Sequence, residues 1–275
     1  MGKPILAIMY DFDKTLSTTD MQNYDFIPAL GLTPEEFWGA TGEFSAKTGC
    51  ERILSYMYMM IVKAREKNIK LTRDFLRDCG KNIKYHPGVT TWFQRINEIG
   101  ASKGVKVEHY LVSSGTKEIL EGCSIYDQFT KVYGCEFYYE NGLPVWPKLA
   151  INYTQKTQFF FRIAKGVTNI KDDDNVNKKS EGLKIPYTNI AYIGDGMTDV
   201  ACMTLVNKNG GYSIGVYTEA NKESVTQIRH DKRCRFIVKA DYSQNSDMEK
   251  VFSLIIDDIA NRAYLEAKEN ALANK

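Results

Sequence analysis

The chain has 275 residues, 43% hydrophobic and 25% charged, enough for a sizeable buried core but short for two full domains, so one core with an insertion is expected. The net charge of +2, from 36 Lys and Arg against 34 Asp and Glu, makes no overall case for binding nucleic acid or a membrane surface. Six cysteines, at 50, 79, 123, 135, 202 and 234, form no C-x-x-C pair and no zinc-like spacing with histidine, which suits free thiols in a reducing cytoplasm. No apolar run is long enough to span a bilayer, and the first is too short for a secretion signal.

The first predicted strand, 4–10, is apolar from Ile5 to Met9 and leads into Tyr10-Asp11-Phe12-Asp13-Lys14-Thr15-Leu16. Two carboxylates this close at the end of a buried strand raise each other's pKa unless a cation lies between them. Mg²⁺, a hard ion with oxygen ligands, answers that need. Thr15 suits both the cap of a following helix and a group that orients the acid turn.

Residues 17–85 carry no strand signal. Thr33-Pro34-Glu35-Glu36 is a helix start, with an N-cap, Pro at N1 and Glu at N3. Cys50, Ile53, Leu54, Met57, Tyr58 and Ile61 follow helical spacing, and Leu71, Phe75, Leu76 and Cys79 suggest another helix. An all-helical unit between the first two strands reads as a lid, which excludes water and selects substrate. Trp38, Met57, Met59 and Met60 read first as its core and second as a pocket lining.

Further strands are predicted at 106–112, 131–135, 190–193, 212–216 and 235–238, alternating with helices as in a parallel sheet. A helix over 88–100 shows a one-sided stripe of Val89, Trp92, Phe93, Ile96 and Ile99. The second strand ends in Ser113-Ser114-Gly115-Thr116, where a hydroxyl and successive N–H groups suit phosphate oxygens. Lys156 opens a helical segment with Phe160, Ile163 and Ala164 on the opposite face, and Lys148 and Lys165 compete with it as the fixed cation. Lys171–Lys184 is polar and reads as a loop. Strand 190–193 ends in a second acid cluster, Gly194-Asp195-Gly196-Met197-Thr198-Asp199. The last helix starts at Ser246, with Glu249 completing a capping box. His86, His109 and His230 have no partner spacing and read as structural.

Asp11-Phe12-Asp13-Lys14-Thr15-Leu16, Leu111-Val112-Ser113-Ser114-Gly115, Lys156 and Gly194-Asp195-Gly196-Met197-Thr198-Asp199 resemble, in order, the four motifs of the haloacid dehalogenase (HAD) superfamily. The likeness is greatest to its phosphoserine phosphatase-like branch, and Pro87-Gly88-Val89 agrees. It covers Lys3–Leu16 and Tyr85–Ala240 and fades between them. The resemblance implies an α/β fold: a Rossmann-like core, residues 1–16 and 86–275, whose central parallel sheet is flanked by helices. A helical cap of the first type (C1) would occupy 17–85.

The same resemblance implies a Mg²⁺-dependent phosphatase that hydrolyses a small phosphate monoester through an aspartyl-phosphate. Asp11 would be the nucleophile and Asp13 the general acid and base. Ser113, Lys156 and the N–H groups of Phe12 and Ser114 would bind the phosphate oxygens, which makes Ser113 and Lys156 part of the catalytic set. Asp11, the Asp13 backbone carbonyl and Asp195 would hold Mg²⁺, and Asp199 would support the metal or orient Lys156. The expected partner is a small phosphorylated metabolite in the cytoplasm, with neither nucleic acid nor membrane involved. Asp13 disfavours both a long-lived aspartyl-phosphate and carbon–halogen cleavage. A phosphotransferase with the same intermediate and a non-catalytic regulatory module are the alternatives. Glu43, Glu51 and Arg52 are candidates for gripping a substrate, but their surroundings do not match the phosphoserine phosphatase pattern, so the ester stays open.

Overall fold

The structure, a computed structural model, describes residues 2–179 and 182–273. Its strands are β1 (Ile5–Tyr10), β2 (Lys106–Thr116), β3 (Lys131–Glu140), β4 (Leu143–Leu149), β5 (Ile190–Gly194), β6 (Tyr212–Tyr217) and β7 (Phe236–Lys239). They form one sheet in the order β4-β3-β2-β1-β5-β6-β7. All neighbouring pairs are parallel except β3 with β4. Leu6–Tyr10 and Ile190–Ile193 are fully enclosed, as expected for strands covered on both faces by helices.

The helices are α1 (Phe26–Ala29), α2 (Pro34–Thr48), α3 (Arg52–Glu66), α4 (Arg73–Asp78), α5 (Val89–Ser102), α6 (Lys117–Leu120), α7 (Thr157–Lys165), α8 (Asp173–Asn177), α9 (Val200–Lys208), α10 (Lys222–His230) and α11 (Asp247–Ala273). Among the described residues none is long and apolar enough to cross a membrane. In α5, Val89, Trp92, Phe93 and Ile96 are buried, and Trp92 packs edge-on against Tyr242 and Phe252.

Between Ser17 and Tyr85 the regular elements are helical, α1–α4 and a 3₁₀ turn at Met21–Asn23. Both capping-box bonds predicted at Thr33 and Glu36 form. The segment's two ends are tied together by an antiparallel bridge between Ser17 and Tyr85, flanked by Thr18 N–H to Lys84 O at 3.0 Å and His86 N–H to Leu16 O at 2.9 Å. Its far end docks on the sheet domain where α4 meets α6. Gly122 permits this approach, because a Cβ there would lie 1.7 Å from Arg77 O.

Three local expectations need correction. Strand β4 was not anticipated: Pro144 and Pro147 interrupt its pattern, and proline, which lacks an N–H, is tolerated because β4 is the sheet edge. Lys171–Lys184 is not loop throughout, since α8 forms there with Asp172 accepting from Asn175 N–H at 3.3 Å; Ser180 and Glu181 of that stretch lie outside the described residues. At α11 only half of the capping box is made. Ser246 Oγ accepts from Glu249 N–H at 3.2 Å, but the Glu249 carboxylate takes Asn245 N–H at 2.6 Å and pairs with Arg95 at 2.7 Å.

Candidate active site

Strands β1 and β5 are neighbours, and the chain leaves them in opposite directions across the sheet, to β2 and β3 on one side and to β6 and β7 on the other. Such a switch point opens a crevice beyond the carboxyl ends of the strands. Asp11 N–H donates to Ile193 O at 2.9 Å, which extends the β1–β5 pairing and sets Asp11 beside the second acid turn. The carboxylates of Asp11, Asp195 and Asp199 each bring an oxygen within 4.8 Å of the other two.

Lys156, just before α7, reaches into this cluster and is 1% exposed. Its Nζ donates to Asp11 Oδ1 at 2.6 Å and to Asp199 Oδ1 at 2.9 Å. Phe159, Phe160, Ile163 and Ala164 anchor α7 in the core. Thr15 Oγ1 donates to Asp11 Oδ2 at 3.0 Å. Thr15 caps no helix, since the chain turns after it and enters the Ser17–Tyr85 bridge; its orienting role is the one that holds.

Asp199 is fully enclosed and richly hydrogen-bonded. Besides Lys156, Tyr192 OH donates to Oδ1 at 2.7 Å, and the N–H groups of Asp195 and Gly196 donate to Oδ2 at 3.1 and 3.4 Å. Asp199 thus both contacts Lys156 and stands within the acid cluster, so orienting the lysine and supporting a metal both fit it. Gly194 makes room for it: a Cβ there would stand 2.5 Å from Asp199 Oδ2. Asn221 Nδ2 braces the turn by donating to Asp195 O at 2.8 Å. Asp13 Oδ1 accepts from Met21 N–H at 2.7 Å, which ties this acid to the start of the helical segment.

The electrostatics show a shortage of positive charge. Burial pushes the Asp11 carboxyl up to about 6 despite Lys156. Burial, reinforced by the charges of Asp199 and Asp11, pushes Asp195 up to about 8. Asp13 is held well above the usual carboxylate range by burial, then by Asp20 and Asp11. Burial works against the Lys156 ammonium, yet Asp11 and Asp199 outweigh it and hold its pKa above that of an ordinary lysine. Carboxylate oxygens clustered around one lysine fit a further hard cation.

A cavity of about 650 Å³ lies over the cluster, with Asp11, Asp13, Lys156 and Asp195 on one side and Trp38, Arg52 and Tyr56 of the helical segment on the other. The haloacid dehalogenase-like hydrolase family pattern matches residues 8–204. The chain belongs to that family.

An uncharacterised protein of Borreliella burgdorferi is 26% identical over 283 aligned positions, covering 93% of this chain and 96% of that one. Among solved structures, a probable phosphoserine phosphatase of Vibrio cholerae superposes with a TM-score of 0.61 at 12% identity, covering 95% of this chain and 67% of that one. A phosphoserine phosphatase holding an analogue of its phospho-aspartyl intermediate gives 0.54 at 14% identity, covering 92% and 99%. A HAD family hydrolase of Salmonella enterica serovar Typhi gives 0.54 at 15%, covering 81% of this chain and 65% of that one. At these identities the likeness is one of fold.

The HAD motif residues do not all face the cavity. Ser114 and Gly115 line it; the Ser113 side chain is fully enclosed, and its Oγ accepts Gly115 N–H at 2.9 Å. The Phe12 ring is in the core, and its carbonyl accepts from the N–H groups of Thr15, Leu16 and Ser17. Arg52 lines the cavity, whereas the Glu51 carboxylate caps α3 through Ile53 N–H at 2.8 Å and Leu54 N–H at 3.1 Å. Trp38 lines the cavity, while Met57, Met59 and Met60 are buried in the core. Tyr192, Asn221 and Gln22 also belong to the site or its wall, and sequence reasoning gave them no site role. Tyr192 was legible only as a buried strand residue.

Proposed function

We propose that this protein is a Mg²⁺-dependent phosphatase that hydrolyses a small phosphate monoester through an aspartyl-phosphate on Asp11. The observation that carries the proposal is the buried Lys156 bridging Asp11 and Asp199 on the floor of a cavity that Asp195 shares. Residues 1–16 and 86–275 form the catalytic core in this reading, and 17–85 the cap. Six free cysteines suit action in the cytoplasm.

One Asp11 carboxylate oxygen attacks phosphorus as the ester P–O bond breaks. Asp13, whose pKa burial and the neighbouring acids raise, gives its proton to the leaving oxygen. The Asp13 carboxylate then takes a proton from water, which attacks phosphorus, breaks the bond to Asp11 and releases inorganic phosphate. Lys156 neutralises charge spreading over the phosphoryl oxygens, helped by the N–H groups of Phe12 and Ser114. Ser113 would bind a further phosphate oxygen, and its Oγ also holds Gly115 N–H in the irregular end of β2. Asp11, Asp195 and the Asp13 carbonyl would hold Mg²⁺, which when bound supplies further charge neutralisation and alignment.

The test is p-nitrophenyl phosphate hydrolysis with Mg²⁺, with products analysed in the presence of glycerol. Inorganic phosphate is expected, whereas phosphorylated glycerol as the main product would mark a phosphotransferase. Asp11→Asn should abolish turnover with its circular dichroism spectrum unchanged, and an active Asp11→Asn protein would sink the nucleophile assignment.

A further inference from the structure

Two polar groups on the cavity wall lack partners. The Gln22 carboxamide oxygen and the Ser114 hydroxyl are buried without a hydrogen bond among the described residues, and both residues line the cavity. Gln22 is 2% exposed. Buried polar groups are almost always paired, so an orphan on a residue that lines a ligand site calls for an explanation.

Several other polar groups around the cavity are already committed, while the Arg52 guanidinium on the same wall is left for the substrate. Thr41 Oγ1 donates to Phe37 O at 2.9 Å and Ser45 Oγ to Cys50 O at 2.7 Å. The Trp38 indole N–H donates to Asn23 Oδ1 at 3.0 Å, and Tyr56 OH donates to Ser114 O at 2.7 Å. Trp38 is only half-buried and has surface left to offer a ligand, whereas Tyr56 is buried. Asp20 Oδ1 is paired with Lys14 at 2.9 Å. Gln22 and Ser114 belong to adjoining parts of the wall. Met21, next to Gln22, packs over Gly115, where a Cβ would stand 2.0 Å from Met21 Cε.

Resting on the phosphatase reading above, we propose that Gln22 is a specificity-determining residue that receives a hydroxyl group of the leaving alcohol. The substrate class is then a phosphate monoester of a polyol. A hydroxyl both donates and accepts, and so does a carboxamide, so either end of Gln22 is served. The Ser114 hydroxyl takes a second polar group of the same ligand. The Trp38 ring meets its C–H surface. An ammonium ion, which only donates, would satisfy the oxygen alone.

The experiment compares glycerol 3-phosphate with propyl phosphate, which differ only in two hydroxyls, and adds phosphoserine as a charged competitor. The enzymes are the wild type, Gln22→Met, which is close in shape but apolar, and Gln22→Glu, which keeps an acceptor and loses the amide donor. Wild type should favour glycerol 3-phosphate over propyl phosphate at least tenfold in kcat/KM. Gln22→Met should cut that ratio at least tenfold, chiefly through KM, and Gln22→Glu should cut it less. Thermal melts report folding; if Gln22→Met does not fold, the Gln22→Glu ratio decides. A ratio unmoved in the folded variants overturns the assignment, as does a wild-type preference for propyl phosphate or phosphoserine while p-nitrophenyl phosphate is still turned over. A wild type inactive on every ester, p-nitrophenyl phosphate included, instead marks failure of the phosphatase reading itself.

Discussion

Lys156 Nζ lies 2.6 Å from Asp11 Oδ1 across 145 positions of sequence, and both side chains are almost wholly enclosed. Such a pair is costly to assemble and costlier to break, since removing one partner strands the other charge away from water.

Lys156→Met should therefore lose stability as well as activity. Breaking a buried ion pair costs about 3–5 kcal/mol. For a chain of this size that lowers Tm by roughly 10 °C. Turnover should fall at least ~100-fold. Adding Asp199→Asn should recover part of the Tm and none of the turnover. A double variant no more stable than Lys156→Met would show that the lysine is not there to balance these acids.

Chelation should silence the enzyme and Mg²⁺ should restore it. Mg²⁺ that binds only the folded state also stabilises it, by about 2.7 kcal/mol at a hundredfold excess over Kd. Asp195→Asn should blunt this Mg²⁺-dependent rise in Tm. Equal rises in the variant and the wild type would remove Asp195 from the metal set.

His109 should make the fold acid-sensitive. Trp92 N–H donates to Tyr10 OH at 2.9 Å, Tyr10 OH donates to His109 Nδ1 at 2.8 Å, and His109 Nε2–H donates to Asn97 Oδ1 at 3.1 Å. A second ring proton, on Nδ1, would face the Tyr10 hydroxyl proton already aimed at that nitrogen and would force this buried chain to rearrange. Burial lowers the His109 pKa to about 3. The unfolded chain takes up this proton near 6.5 and the folded one does not, so stability is full above pH 6.5 and is lost as pH falls toward 3. The loss approaches ~1.4 kcal/mol per pH unit. Tm should therefore fall more between pH 7 and pH 5 in the wild type than in His109→Gln. Parallel slopes would exclude His109 as the source.

Gly194→Ala should misplace the Asp199 carboxylate, because the new methyl would lie 2.4 Å from its Cγ. The chain must shift, and Lys156 loses its second anchor. We expect at least a ~10-fold drop in kcat, in keeping with a small displacement of catalytic groups. Wild-type kcat in this variant would mean that the turn is more yielding than its packing indicates.

The acid-bearing strand ends were legible because their signals are local. An apolar run reads as a buried strand, and acids just beyond it read as a site whatever the rest of the chain does. The same holds for Thr33 and Glu36, whose cap depends on residues three apart. Glu249 shows where local logic fails: its neighbours predict a capping box, but Arg95 and Asn245 N–H compete for its carboxylate. Strand β4 was hidden because its two prolines are acceptable only at a sheet edge, and edge position is not a local property.

By itself the sequence determined which side chains stand at the ends of β1, β2 and β5, since strand formation and turn chemistry act over a few residues. The tertiary structure alone decided who meets whom. Parallel pairing set β1 between β2 and β5 and brought Asp11 to Asp199; the docking of the helical segment set Gln22 and Trp38 in the wall of the cavity over the acids. Those outcomes depend on packing between distant segments, and no window of neighbouring residues contains that information.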